Sequence, residues 1–456
     1  MQNAGFLSRF DGMGRFGIVW SGQVVTLVGN AVLRFAFVVQ AWTSGGEATR
    51  VVLLSICALL PQMLLSPVAG ALVDRVSKRT ALQLADLGGL VVVSGLTALY
   101  FLGDLRLWQV YPTVALLGAA AAFQYPALAS AVPLLVAKEQ LQRANGLLAT
   151  AKSASDVVGP ALAAVLVTSG SLGLVLWVDL VSFALALLTV RLVRLPAAVD
   201  AKAPAGPRRR LSADSAEGLR ILFGQPSLRG LILVFFSVNL VMVFGFAVVQ
   251  PMILARTGNQ PGALAAVMTS IGIGGIAGGL LLAAWGGPRN RVRGMTLGII
   301  GMCVSAQILM ATARWVPAWC AAILVGALLM PIVNGTMQAI IQTKVPKDRQ
   351  GRVFGAVLFV SQISSPLAMA FSGPLADRVF EPQAAEGGGL VGLARPLVGT
   401  GPGTGMATML LLAGVLGTAA ALWGMASRNV RDIDRLLPDL DADEPSGTER
   451  RESADA

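Results

Sequence analysis

The sequence predicts an all-α membrane protein of twelve transmembrane helices in two six-helix bundles, and three observations carry that prediction. The 456 residues are 55% apolar and only 13% charged, about half the charge of an ordinary soluble chain. Apolar runs recur near 16–42, 50–73, 80–102, 108–133, 146–168, 171–193, 230–255, 262–285, 294–313, 316–342, 353–376 and 404–427. Each is long enough to cross a hydrocarbon core of about 30 Å. Third, the chain repeats: a shift of 209 residues lays Asn30 on Asn239, Phe37 on Phe246 and Gly70 on Gly279. The same shift brings Val136, Lys138, Glu139, Arg143 and Gly146 onto Val345, Lys347, Asp348, Arg352 and Gly355. An internal repeat in a membrane chain implies two bundles about a pseudo-twofold axis, with a cavity between them.

The organisation follows. Residues 1–194 form the first bundle, 195–228 a cytoplasmic linker, 229–427 the second bundle and 428–456 an acidic cytoplasmic tail, expected to be disordered for lack of apolar content. The linker includes Lys202-Ala203-Pro204-Ala205-Gly206-Pro207-Arg208-Arg209-Arg210, with an amphipathic stretch at 211–224.

The net charge of +11 and pI near 10.4 raise the question of nucleic acid, but the placement of charge argues against it. With the N-terminus cytoplasmic, 27 of the 35 Lys and Arg fall in or beside cytoplasmic segments. That bias puts both termini in the cytoplasm and the protein in the cell membrane. Cys57, Cys303 and Cys320 lie in apolar runs without paired spacing and read as small core residues. There is no His, so no metal-ligand spacing, and Gly272-Ile273-Gly274-Gly275 lies within a span, where glycines serve packing rather than phosphate binding. The sequence implies no cofactor and no enzyme. The first span has the length of its own insertion signal rather than a cleaved leader.

In chain order, span one carries Asn30, Arg34 and Phe37 at i, i+4, i+7, one stripe of a helix. The turn after span two reads Gly70-Ala71-Leu72-Val73-Asp74-Arg75-Val76-Ser77-Lys78-Arg79. Its shifted counterpart has Ala283 and Ala284 in place of Asp74 and Arg75. Asp86, seven residues past Arg79, reads as a partner of that basic turn. Span four offers Gln124 and Tyr125. On span five, Lys152 and Asp156 are one turn apart and can pair, ahead of a helix break at Gly159-Pro160. Asp179 lies about two turns into span six with no basic residue within a turn. A carboxyl in such a place is held at least cost when protonated, which suits proton exchange. Asn239 and Phe246 on span seven, Asn334 and Gln338 on span ten and Gln362 on span eleven are the remaining polar or aromatic wall candidates. Each has a plainer reading: solvated turn, static ion pair, or interhelical hydrogen bond worth about 0.6–2 kcal/mol. The outer loop 383–405 is glycine-rich and expected to be mobile.

Three passages carry a family resemblance. Pro61-Gln62-Met63-Leu64-Leu65-Ser66-Pro67 runs into Gly70–Arg75. Phe123-Gln124-Tyr125-Pro126-Ala127 leads through Arg143-Ala144-Asn145-Gly146 to Gly159-Pro160-Ala161-Leu162. Gly351-Arg352-Val353-Phe354-Gly355 precedes Ser372-Gly373-Pro374-Leu375-Ala376-Asp377-Arg378-Val379-Phe380-Glu381-Pro382. Over about residues 15–427 the chain is similar to the drug exporters of the major facilitator superfamily, in the branch with macrolide-efflux and enterobactin-export proteins. The resemblance implies the major facilitator fold and export of an amphipathic small molecule: an antibiotic, siderophore or secondary metabolite. It also implies proton antiport across the lipid bilayer by a monomer. It assigns a gating loop to Gly70, Asp74, Arg75, Lys78 and Arg79, with Asp74 bridging to span eleven in the outward-facing state. Proton coupling falls to Asp179 or Asp156, with Lys152 and Arg34 as their basic neighbours. An uptake symporter and a non-transporting sensor on the same scaffold are the alternatives.

Overall fold

The computed structural model describes residues 12–103, 105–137, 140–169, 172–193, 220, 223–345, 347–431 and 436. Regular structure among the described residues is wholly helical. In the first half the helices are Gly12–Thr43, Ala48–Arg75, Lys78–Phe101, Leu107–Leu135, Leu141–Thr168 and Leu172–Leu192. In the second half they are Pro226–Phe246 continued by Val249–Arg256, then Pro261–Trp285, Arg291–Thr312, Val316–Lys344, Lys347–Leu375 and Thr404–Ala426. Eleven of these spans are long and apolar enough to cross a membrane. The remaining one, Lys347–Leu375, stands where the eleventh apolar run is predicted. Its opening turns carry Lys347, Asp348, Arg349 and Arg352. The fold class is therefore as expected, an all-α multi-pass membrane protein.

Prolines sit inside spans four, five, ten and eleven without ending them, as membrane helices allow when neighbours satisfy the freed carbonyls. Without a hydrophobic drive between helices in lipid, packing depends on close approach of small residues. Spans eight and ten show this: a side chain at Gly274 or Gly278 would strike the backbone carbonyls of Leu324 or Leu328. Across the halves, span five packs on span eight and span two on span eleven.

The buried apolar residues divide unevenly along the bundle axis. One cluster joins the halves, with Phe37, Trp42 and Val51 packed among residues such as Met252, Ile253 and Leu410. It lies at the end where spans one and two join, which we call the closed end. Toward the end bearing the chain termini, the halves have separate clusters. One contains Phe16, Leu82 and Val190, the other Ile232, Met295 and Ile340. The halves thus share a core at one end and part toward the other.

Two spans depart locally from a straight α-helix, and the expectation of a mobile outer loop needs correction. Span seven is not continuous over 230–255. Its helix stops at Phe246 and restarts at Val249, just after Gly245, a weak helix former pressed against Ala413 and Gln307. Span nine contains a π-helical segment, Cys303–Leu309. The outer loop is ordered as two short helices, Glu381–Glu386 and Gly389–Val398. In the second, Val391 and Val398 are buried while Leu390, Leu393 and Leu397 are exposed, a two-faced helix in place of a mobile glycine loop. Most of the linker, including 211–219, and the tail from 437 lie outside the described residues.

Candidate functional site

A cavity of about 700 Å³ lies between the halves, within the range of small-molecule sites. Its walls are mostly apolar. Phe246 of span seven faces it from the second half, Phe37 of span one borders it from the first as a buried part of the wall, and Asn334 of span ten lines it too. Arg34 and Asp156 are its charged groups from the first half, and Gln62 and Gln250 add amides. Sequence reasoning missed both glutamines. Gln250 lies one turn beyond Phe246 and Gln62 is an isolated amide in an apolar run, so helical spacing was the available signal.

A smaller recess of about 160 Å³ adjoins the first, lined by Asn30, Gln124 and Lys152 together with Arg34 and Phe37. Lys152 Nζ lies 2.7 Å from both carboxylate oxygens of Asp156, with side chains 60% and 42% exposed. The pair faces open space rather than packed protein. Pro160, one turn on, also lines the large cavity. There Thr269 of span eight donates to the Val157 carbonyl at 3.1 Å, so span five meets the second half beside Gly159-Pro160, where the helix runs on unbroken and the break expected from the sequence is absent.

Other predicted wall residues are not brought here. Asn239 accepts a 2.7 Å hydrogen bond from Ser364 of span eleven and lines neither cavity, which is the interhelical bond of the plainer reading. Gln338 is exposed and also lines neither. The side chains of Tyr125, Gln362, Asp74 and Arg75, and the surroundings of Gly70, lie outside the described residues. Lys78 Nζ donates to the Val73 carbonyl at 2.9 Å and Arg79 Nη2 to the Arg191 carbonyl at 3.0 Å. Both cations thus sit at helix C-termini, of spans two and six, where the backbone dipole favours them.

Asp179 is fully buried in span six. Ser182 Oγ reaches its Oδ1 at 3.4 Å, and its Oδ2 has no hydrogen-bond partner among the described residues. Gly29 of span one makes room for it: a side chain there would stand 2.7 Å from Oδ1. Arg34 acts on both Asp179 and Asp156 through space but forms no ion pair with either among the described contacts. It is open to the cavity while deep within the bundle.

Asp86 corrects the sequence reading most sharply. It does not pair with the basic turn. It is fully buried in span three, with Gln23 Nε2 donating to Oδ2 and Gln124 Nε2 to Oδ1, each at 2.9 Å. Gln124 Nε2 also lies 2.9 Å from Gln23 Oε1. This closed ring ties spans one, three and four together and touches the smaller recess through Gln124. Seven residues is about two helical turns, so Asp86 lies some 10 Å along the axis from Arg79, which carries it into the membrane.

At the closed end, Trp42 Nε1 donates to Asn259 Oδ1 at 2.7 Å, across the halves. Asn259 has φ of +65°, a left-handed conformation that Asn tolerates better than most side chains.

Comparison with known proteins agrees with this architecture. The family model described as Major Facilitator Superfamily matches residues 19–369. Macrolide efflux protein A of Streptococcus pyogenes is 28% identical over 369 residues, covering 80% of this chain and 90% of that protein. Multidrug efflux pump Tap of Mycolicibacterium fortuitum is 25% identical, covering 76% and 86%. Among solved structures, a bacterial homologue of the human lysosomal transporter Spinster, inward-facing and unoccupied, superposes with a TM-score of 0.64. It is 14% identical and covers 92% of this chain and 98% of its own.

Proposed function

The chain belongs to the Major Facilitator Superfamily, and we propose that it exports an amphipathic small molecule across the cell membrane by alternating access, as a proton antiporter. The substrate class is an antibiotic, a siderophore or a secondary metabolite. The observation that carries this reading is an apolar cavity between halves that share a core at one end only. Relatives named for macrolide and multidrug efflux favour export over uptake. The division at 1–194 and 229–427, with the linker and tail cytoplasmic, is our assignment, as are a monomeric state and both termini in the cytoplasm, by the distribution of Lys and Arg. On that orientation the cavity faces inward.

Phe246 supplies apolar surface for the substrate, with Phe37 packed into the wall opposite, while Asn30, Arg34, Gln124 and Asn334 supply orientation. Asp179 takes a proton from outside when the carrier opens there and releases it inward as Arg34 approaches. A charge buried without a partner is costly, so its protonation state biases which end of the bundle closes. Asp156, already paired with Lys152, is the second candidate, and the gating turn around Asp74 holds the outward-facing state.

Transport driven by a pH gradient in liposomes, with macrolides, dyes and siderophores as a panel, tests the reading. Asp179→Asn is expected to bind substrate but to lose at least about 100-fold in gradient-driven transport, in line with removal of a general acid–base group. Unchanged transport moves the proton site to Asp156, and transport indifferent to the gradient overturns antiport.

A further inference from the structure

Beyond the cavity, the closed end holds a contact whose chemistry matches that of the gating turn. The pattern Gly-x-Leu-x-Asp-Arg occurs at Gly70–Arg75, where span two ends, and again at Gly373–Arg378, where span eleven ends. Span two passes from the closed end to the terminus-bearing end and span eleven passes back, so the two copies sit at opposite ends of one packed helix pair. Asp377, in the second copy, places Oδ1 2.8 Å from the Ala48 N–H and Oδ2 2.8 Å from the Thr49 N–H. Those are the first two amides of span two. Its own N-cap residue, Glu47, makes no capping hydrogen bond, so a carboxylate from the other half satisfies donors that a helix leaves open at its start.

Gly373 permits the approach. A Cβ there would stand 2.7 Å from the Thr49 Cα, a contact that real side chains do not make. The segment carrying Asp377, Ala376–Phe380, is a π-helical turn, a departure from α geometry found often at functional sites. One turn further on, Glu381 receives the Met406 N–H at 3.0 Å and so caps span twelve of its own half. Of these two carboxylates, only Asp377 reaches across.

We propose that Asp377, with Gly373, forms a second latch, which holds the closed end shut and releases when the cavity opens there. Asp74 and Asp377 would then stabilise opposite states of one helix pair, each from its own end. This rests on the alternating-access reading, because a latch matters only if the closed end opens. Asp377 is a positioning residue: it touches neither cavity.

The test is a distance measurement by pulsed electron spin resonance between labels at Ser44→Cys and Gln260→Cys. These exposed sites flank the Trp42–Asn259 contact. Cys57, Cys303 and Cys320 are replaced by Ala and the protein is held in lipid nanodiscs without substrate or gradient. Two charge-assisted hydrogen bonds are at stake, so Asp377→Ala should raise the ratio of long to short distances by at least about tenfold. Asp74→Ala should leave it unchanged or lower it. Gly373→Val, which wedges the contact without touching the acid, should shift it in the same direction as Asp377→Ala. An unchanged ratio in a folded Asp377→Ala protein, or a shift in the same sense as Asp74→Ala, overturns the latch. If only Gly373→Val folds, an unchanged ratio there overturns it. Because neither substrate nor gradient is present, a failed latch with intact export and a working latch without export are separate results.

Discussion

The two halves of the molecule place their ionisable groups in different parts of the bilayer. In the first half Arg34, Asp86, Lys152, Asp156 and Asp179 all lie within spans. The second half meets the cavity with Phe246, Gln250, Met268 and Asn334, and two of its acids, Asp377 and Glu381, sit beyond a span as caps on helix starts. Sequence repetition relates the halves, yet their chemistry has diverged. Charge inside a membrane is costly and is retained where it acts. The difference fits the division of labour proposed above, with proton handling in the first half and substrate shape in the second.

The largest effect expected from a test of that division is at Asp86. Its carboxyl is the acceptor for the Gln23 and Gln124 amides in a ring where Asp86 and Gln23 are fully buried and Gln124 partly so. Asp86→Ala leaves both amides without it, and buried donors without acceptors cost about 1–3 kcal/mol each. A marked fall in the thermal unfolding midpoint is expected, with a smaller fall for Asp86→Asn, whose Oδ1 still accepts from one of the two amides. Equal destabilisation by the two substitutions would show that Asp86 acts as a charge and not as a hydrogen-bond hub.

A smaller effect is expected on the other wall. Gln250→Ala and Asn334→Ala should change the apparent KM for individual substrates by about 3- to 10-fold, the size of one polar contact in a membrane protein. The dependence of transport on the pH gradient should stay as in the wild type. If either substitution abolishes gradient coupling instead, the division between halves is wrong.

The sequence makes the spans legible because the solvent for a membrane helix is uniform and length alone decides. It also makes Arg34, Phe37, Phe246, Asn334 and the Lys152–Asp156 pair legible, since helical spacing projects directly onto a wall or a shared face. Asp86 was misread because proximity in sequence to Lys78 and Arg79 says nothing of two turns of rise into the bilayer. Asn239 looked like a wall residue because one stripe cannot tell a cavity from a neighbouring helix, and Ser364 comes from 125 residues away. The break at Ala247–Val248, the π turns and the helices of the outer loop depend on packing between halves or between loops, which no local pattern encodes. Asp377 could have been found from the repeated Gly-x-Leu-x-Asp-Arg pattern, but its partner is two backbone amides and leaves no mark in sequence.

The smallest expected effect concerns Glu381, the acid of the second half whose environment is most perturbed. Burial raises its carboxyl above the ordinary glutamate value of 4.5, and the nearby Asp377 adds to the rise. The Met406, Gly403 and Gly405 amides pull the other way without cancelling it. Arg256, at the end of the helix Val249–Arg256, feels the Glu381 charge in turn. With its affinity for a proton higher folded than unfolded, this acid supports the fold fully below 4.5. That support is lost as pH rises through the raised value, because in this window the folded state binds more protons. Glu381→Gln keeps an oxygen acceptor for Met406 and removes the titration. Unfolding midpoints measured from about pH 4.5 upward should therefore fall less steeply for Glu381→Gln than for the wild type. A steeper fall in the variant would mean that the charged carboxylate, through its three backbone donors, is the form the folded second half prefers. Asp377 and Glu381 would then be fixed charges at helix starts, further still from the exchangeable carboxyl proposed for Asp179 in span six.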